Sequence, residues 1–165
     1  FELIIDSYDT HFLETYLDTK EAESYPPHCI FGTEGWQSAA PFKNNIPVVK
    51  IFKSTTDIWH EKHAYPVLNA DWHDKEVYLC GVLSDVCVKQ AMDGLLKRGA
   101  KVSVLEDLCL GLNRQITDIL NDAPYRRAVT AGKLRSITSA QFFRAVLLQK
   151  KKQHHFVHSN QEINQ

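Results

Sequence analysis

The sequence contains no run of ~18 consecutive apolar residues and no basic stretch leading into an apolar segment, so it is expected to be soluble and unprocessed, with no membrane contact. It has no excess of either charge. Nineteen basic residues stand against twenty acidic ones, for a net charge of −1, which offers nothing to the phosphates of a nucleic acid or to a charged surface and leaves a small molecule as the expected partner. There is no CxxC pair. The four cysteines, Cys29, Cys80, Cys87 and Cys109, are too sparse for a secreted disulfide scaffold and read as reduced thiols of a cytoplasmic protein. Internal repeats and low-complexity segments are also absent. What remains is a 165-residue chain, 44 % hydrophobic, able to bury a sizeable core.

Five apolar, β-branched runs predict strands at Glu2–Ile5, Ile46–Ile51, Glu76–Val82, Lys101–Glu106 and Leu134–Thr138. Helical periodicity is plainest from Val86 to Arg98, with Gly99 as its stop, and in a last helix that Ser139 can cap and that runs to Leu148. Helix is also expected within Gly111–Lys133, interrupted at Pro124. Strands alternating with helices predict an α/β fold, a three-layer α/β/α sandwich around a mostly parallel, Rossmann-like sheet, with ligands at the carboxyl ends of the strands. The domain is expected over residues 1–150. The tail beyond it, with His154, His155 and His158, reads as a solvated extension. Asp6–Asn45 is long, without period, and holds three of the six prolines, as functional loops do.

Several reactive side chains follow these strands. Cys87 falls where a strand turns into a helix, where the helix dipole favours thiolate and free N–H groups can hold an oxyanion; it reads equally as a buried structural cysteine. Lys53, ending "PVVKIFK", can steady negative charge beside such a thiol, and Lys50 competes for that role. "DTH" at Asp9–His11 and "HC" at His28–Cys29 offer a carboxylate and two imidazoles, a mixed oxygen and nitrogen set suited to zinc or another transition metal.

Taken in order, "YPPHCIFGTEGW", "VVKIFK", "GVLSDVCV" and the later "SITSAQFF" resemble the succession found in the isochorismatase-like cysteine hydrolases, and especially their nicotinamidase branch. The resemblance implies Cys87 as nucleophile, Lys53 as catalytic lysine, and a cis peptide between Val82 and Leu83 that aims the N–H groups of Leu83 and Cys87 at the oxyanion. It further implies Asp9, His11 and His28 as ligands of a divalent metal, zinc foremost, and Tyr25 as a wall of the substrate pocket. The implied reaction is hydrolysis of the carboxamide of nicotinamide or a related small amide through a cysteine thioester. Related chemistry on another small substrate, or a catalytically silent binding or assembly module, are the alternatives, and a homo-oligomer is compatible with each.

Two features depart from the family pattern. The third catalytic residue, an aspartate ending the family's first strand, is not matched: Asp6 fits superficially, but 22 residues separate it from His28, too few for the helix and strand that should intervene. The expectation is therefore that Glu2–Ile5 is the family's second strand and that the first lies upstream of the given sequence. The second departure is Leu83, bulkier than the small residue often found there.

Overall fold

A computed structural model of the chain describes residues 2–38 and 45–148; the histidines of the tail lie outside them. Two compact units divide it, Phe1–Asp71 and Trp72–Gln165. In the first, β1 (Ile4–Asp9) runs parallel to β2 (Val48–Lys53), paired residue by residue from Ile4 with Val48 to Asp9 with Lys53. β1 thus reaches four residues beyond the predicted strand. Its polar residues Asp6, Ser7 and Asp9 read as a turn in isolation, and the parallel partner overrides that local preference. The helix α1 (Leu13–Tyr16) follows β1 and buries Tyr16; α2 (Tyr65–Leu68) lies near the end of the unit, and Leu68 is buried in it, as are Ile51, Ile58 and Ala64.

In the second unit β4 (Lys101–Leu110) lies between β3 (Glu76–Val82) and β5 (Leu134–Ile137), all parallel. Val102, Val104 and Leu105 are buried, as the central strand of a parallel sheet requires. β4 outruns its predicted end at Glu106. A bulge shifts the register after Leu79, so that Gly81 and Val82 pair with Cys109 and Leu110 and draw four more residues into the strand.

Between β3 and β4 a π-helical turn, Ser84–Val88, leads into α3 (Lys89–Lys97), which buries Met92 and Leu95. Gly99, at φ +81°, ends it: its N–H bonds the Leu96 carbonyl and that of Ala100 bonds Leu95, the paired closure of a Schellman cap. A Cβ at Gly99 would lie 2.9 Å from the His73 ring. α4 (Ile116–Leu120) and α5 (Arg126–Thr130) flank a 3-10 turn at Ala123–Tyr125 that holds Pro124, the interruption expected there. A last helix, α6, covers 139–148. Its cap is Thr138 rather than Ser139: the Gln141 N–H donates to Thr138 Oγ1 and the Thr138 N–H to Gln141 Oε1, a capping box, while Ser139 donates through N–H and hydroxyl to Asp107. The alternation of parallel strands and helices is the α/β, Rossmann-like architecture expected. Among the described residues no helix is long and apolar enough to cross a membrane.

Candidate active site and metal set

In the first unit the backbone brings two distant histidines together. An isolated parallel bridge joins His11 to Ile30: the His11 N–H donates to the Cys29 carbonyl at 3.1 Å and the Phe31 N–H to the His11 carbonyl at 2.8 Å. Cys29 takes a left-handed conformation, φ +44°, at the turn. The His11 and His28 rings end 4.8 Å apart, centre to centre, although 17 residues separate them in sequence. Tyr25 stands beside them, its ring 6.2 Å from that of His28.

Glu21 is the third member of this cluster. Its carboxylate oxygens lie 3.9 Å from His11 Nε2 and 3.4 Å from His28 Nε2, and the three ligand atoms fall within 4.8 Å of one another. His11 Nε2 and Glu21 Oε2 are buried without a hydrogen-bond partner, an arrangement that costs free energy unless something occupies the space between them. His28 donates from Nδ1 to the Pro26 carbonyl at 2.9 Å, so its Nε2 carries the lone pair. Burial holds His11 below the ordinary imidazole range, Glu21 opposing the shift and His28 adding to it. Two neutral imidazole nitrogens and a carboxylate oxygen fit a divalent metal with positions left open, zinc in particular.

Asp9 is placed elsewhere. Its carboxylate pairs with the Lys53 ammonium, directly opposite it across the β1–β2 ladder. Lys53 is 3 % exposed and also donates to the Thr55 carbonyl. The next residue is held as well: the Ser54 N–H donates to the buried Glu61 at 2.8 Å, fixing the chain as it leaves β2. Lys50 occupies the other face, exposed, with its ammonium 5.1 Å from the Tyr8 ring centre. Asp6 pairs with Lys50 in the register, and strand alternation puts it on that same face, away from Asp9 and Lys53.

Cys87 belongs to the second unit, in the π-helical turn after β3, a form that recurs at functional sites. The Val82–Leu83 peptide is cis, as the resemblance implies. The Leu83 carbonyl accepts from the N–H groups of Val86 and Val88. Asp85 ties this turn to the loop after β4, accepting from the N–H groups of Leu112, Asn113 and Arg114 at 2.9, 2.7 and 3.1 Å. Burial alone would raise the Asp85 pKa; these backbone donors outweigh it and hold the carboxyl below its ordinary range.

Sequence reasoning does not reach Glu21, Glu61 or Asp85's partners. Glu21 sits among Glu14, Asp18 and Glu23, and nothing in composition or spacing separates it from them.

The isochorismatase domain model matches residues 8–123 of this chain. The chain belongs to the isochorismatase family. At family level this makes it a cysteine hydrolase acting on amide or other C–N bonds. No curated protein matches the sequence. Among solved structures it resembles a nicotinamidase of Bacillus subtilis, at 18 % identity and a TM-score of 0.58 over 73 % of this chain and 71 % of that one. It also resembles a pyrazinamidase of Pyrococcus horikoshii in complex with zinc, at 20 % identity and 0.56 over 82 % and 75 %. The likeness to an N-carbamoylsarcosine amidase of Thermoplasma acidophilum is 19 % identity and 0.57 over 83 % and 72 %. At these identities the shared property is the isochorismatase-type fold.

Proposed function

We propose that this protein is a metal-dependent cysteine amidase of the nicotinamidase branch, hydrolysing the carboxamide of nicotinamide or a closely similar small aromatic amide to the acid and ammonia. The convergence of His11, Glu21 and His28 supports the reading, because an ion held by two imidazoles and a carboxylate is what a pyridine substrate calls for. When bound, the metal supplies a Lewis acid for the ring nitrogen. Cys87 as thiolate attacks the amide carbon, the N–H groups of Leu83 and Cys87 and the charge of Lys53 offset the developing oxyanion, and the C–N bond breaks as ammonia takes a proton. Water then adds to the thioester, releasing the carboxylic acid and restoring the thiol. Tyr25 flanks the ring.

Asp6 lies on the face of β1 opposite Asp9 and Lys53, so the proposal gives it no part in activating Cys87. The test is ammonia release by the intact protein from nicotinamide, pyrazinamide, benzamide and N-carbamoylsarcosine. The two amides with a ring nitrogen should lead in kcat/KM, and Cys87→Ala should abolish turnover while leaving the fold intact. Preference for benzamide or for the ureido acid would transfer the reading to another small amide of the same chemistry.

A further inference from the structure

The histidines and Glu21 converge on one side chain that composition does not single out. Tyr16 is 1 % exposed, at the end of the single turn α1. Its hydroxyl donates to the Tyr25 carbonyl at 3.0 Å and lies 3.2 Å from His28 Nδ1. Because a carbonyl can only accept, the Tyr16 hydroxyl spends its proton on Tyr25 and is left as an acceptor toward His28. His28 Nδ1 therefore carries hydrogen toward two acceptors, the Pro26 carbonyl and the Tyr16 oxygen. The ring of Tyr16 meets His28 and His11 edge-on, with centres 5.6 and 4.9 Å apart.

The backbone of the same residue reaches Glu21. The Tyr16 carbonyl accepts from the Thr19 hydroxyl at 2.7 Å and from the Thr19 N–H at 2.9 Å. Thr19 in turn caps the 3-10 turn Lys20–Glu23 by accepting from the Ala22 N–H. One buried residue thus shares with the Pro26 carbonyl in orienting His28, packs against His11 and anchors the cap of the turn that presents Glu21.

We propose that Tyr16 is the positioning residue of the metal set: its hydroxyl oxygen joins the Pro26 carbonyl in receiving the His28 Nδ1–H and so fixes the direction in which Nε2 points, and it holds the three ligand-bearing segments at one spacing before any ion arrives. This inference rests on His11, Glu21 and His28 being the metal set. It asks of Tyr16 what outer partners do at other metal sites, where their loss typically costs ~10–100-fold in affinity.

The test uses the full chain, stripped with chelator, and zinc alone as probe. Competition against a chromophoric chelator at pH 8 should show Tyr16→Phe binding zinc roughly 10–100-fold more weakly than wild type. With cobalt as substitute, the visible absorption of Tyr16→Phe should be displaced, marking altered ligand geometry. In metal-free wild type, imidazole nitrogen shifts at the same pH should place the His28 proton on Nδ1, a result needing no variant to fold. Zinc affinity unchanged in a folded Tyr16→Phe, or a His28 proton on Nε2 in wild type, would overturn the role of Tyr16. Wild type that ignores zinc, or Glu21→Gln and His28→Ala variants that bind it as wild type does, would instead remove the metal set itself, and the proposal with it.

Discussion

Lys50 and Lys53 are three residues apart in one strand, an odd step that sends them to opposite faces, and their surroundings differ accordingly. Lys53 is buried against Asp9 while Lys50 lies over Tyr8 in water. Lys53→Met should therefore destabilise the protein by about 2 kcal/mol in urea unfolding, below the ~3–5 kcal/mol of a fully enclosed pair because Asp9 is partly hydrated. Lys50→Met should cost under about 1 kcal/mol. The double change Asp9→Asn with Lys53→Met should recover part of the loss, since it leaves no unpaired charge. The thiols sort by the same physics. Burial pushes Cys109 up to about 11, so iodoacetamide at pH 8 should reach it last, measurable by peptide mass spectrometry. The separation of Lys53 from Lys50 is legible in sequence because strand alternation carries it, and His11 and His28 are reached only through the family resemblance of their motifs. Glu21 is not, because its placement depends on the cap at Thr19 and the bridge at His11, neither of which leaves a pattern.

At the scale of elements, the turn bearing Cys87 is secured by Asp85. A carboxylate accepting three N–H groups is worth about 1–2 kcal/mol here, the solvent-facing geometry reducing its value, and Asp85→Ala should lower stability by that amount. Its pH dependence has a definite sign. With the folded pKa depressed, the contribution is present above the unfolded value of ~3.9 and lost as pH falls through the folded one. Asp85→Asn should accordingly flatten the acid side of the urea-midpoint profile below pH 5 and leave its neutral side parallel to wild type. The strand that leads into this turn, β3, is readable residue for residue from its apolar run, as are the stop of α3 at Gly99 and the break at Pro124. The far ends of β1 and β4 are not. They are extended by pairing partners and a bulge, which are properties of the neighbouring strand rather than of the local sequence. The cap of α6 moves by one residue, from Ser139 to Thr138, because Asp107 engages Ser139 from a distant strand.

At the scale of the molecule, metal should act on one unit. Zinc at 100 times its dissociation constant should add about 2.7 kcal/mol of stability. Hydrogen exchange should show the gain at residues 11–28 with little change in β4, and chelator should reverse it; protection rising equally in both units would argue against a site confined to the first. The division also bears on descent. Lys53 faces Asp9 because the count from Lys50 is odd, and the pairing with β1 runs unbroken through six residues. Deleting one residue inside β2 would turn the lysine over onto the aromatic face beside Tyr8. Deleting two would keep its face but move it one rung along β1, to stand opposite Ser7 in place of Asp9. Single-codon insertions and deletions should thus be purged from this strand in functional lineages, and a deletion scan along β2 read out by ammonia release should show activity lost at each position.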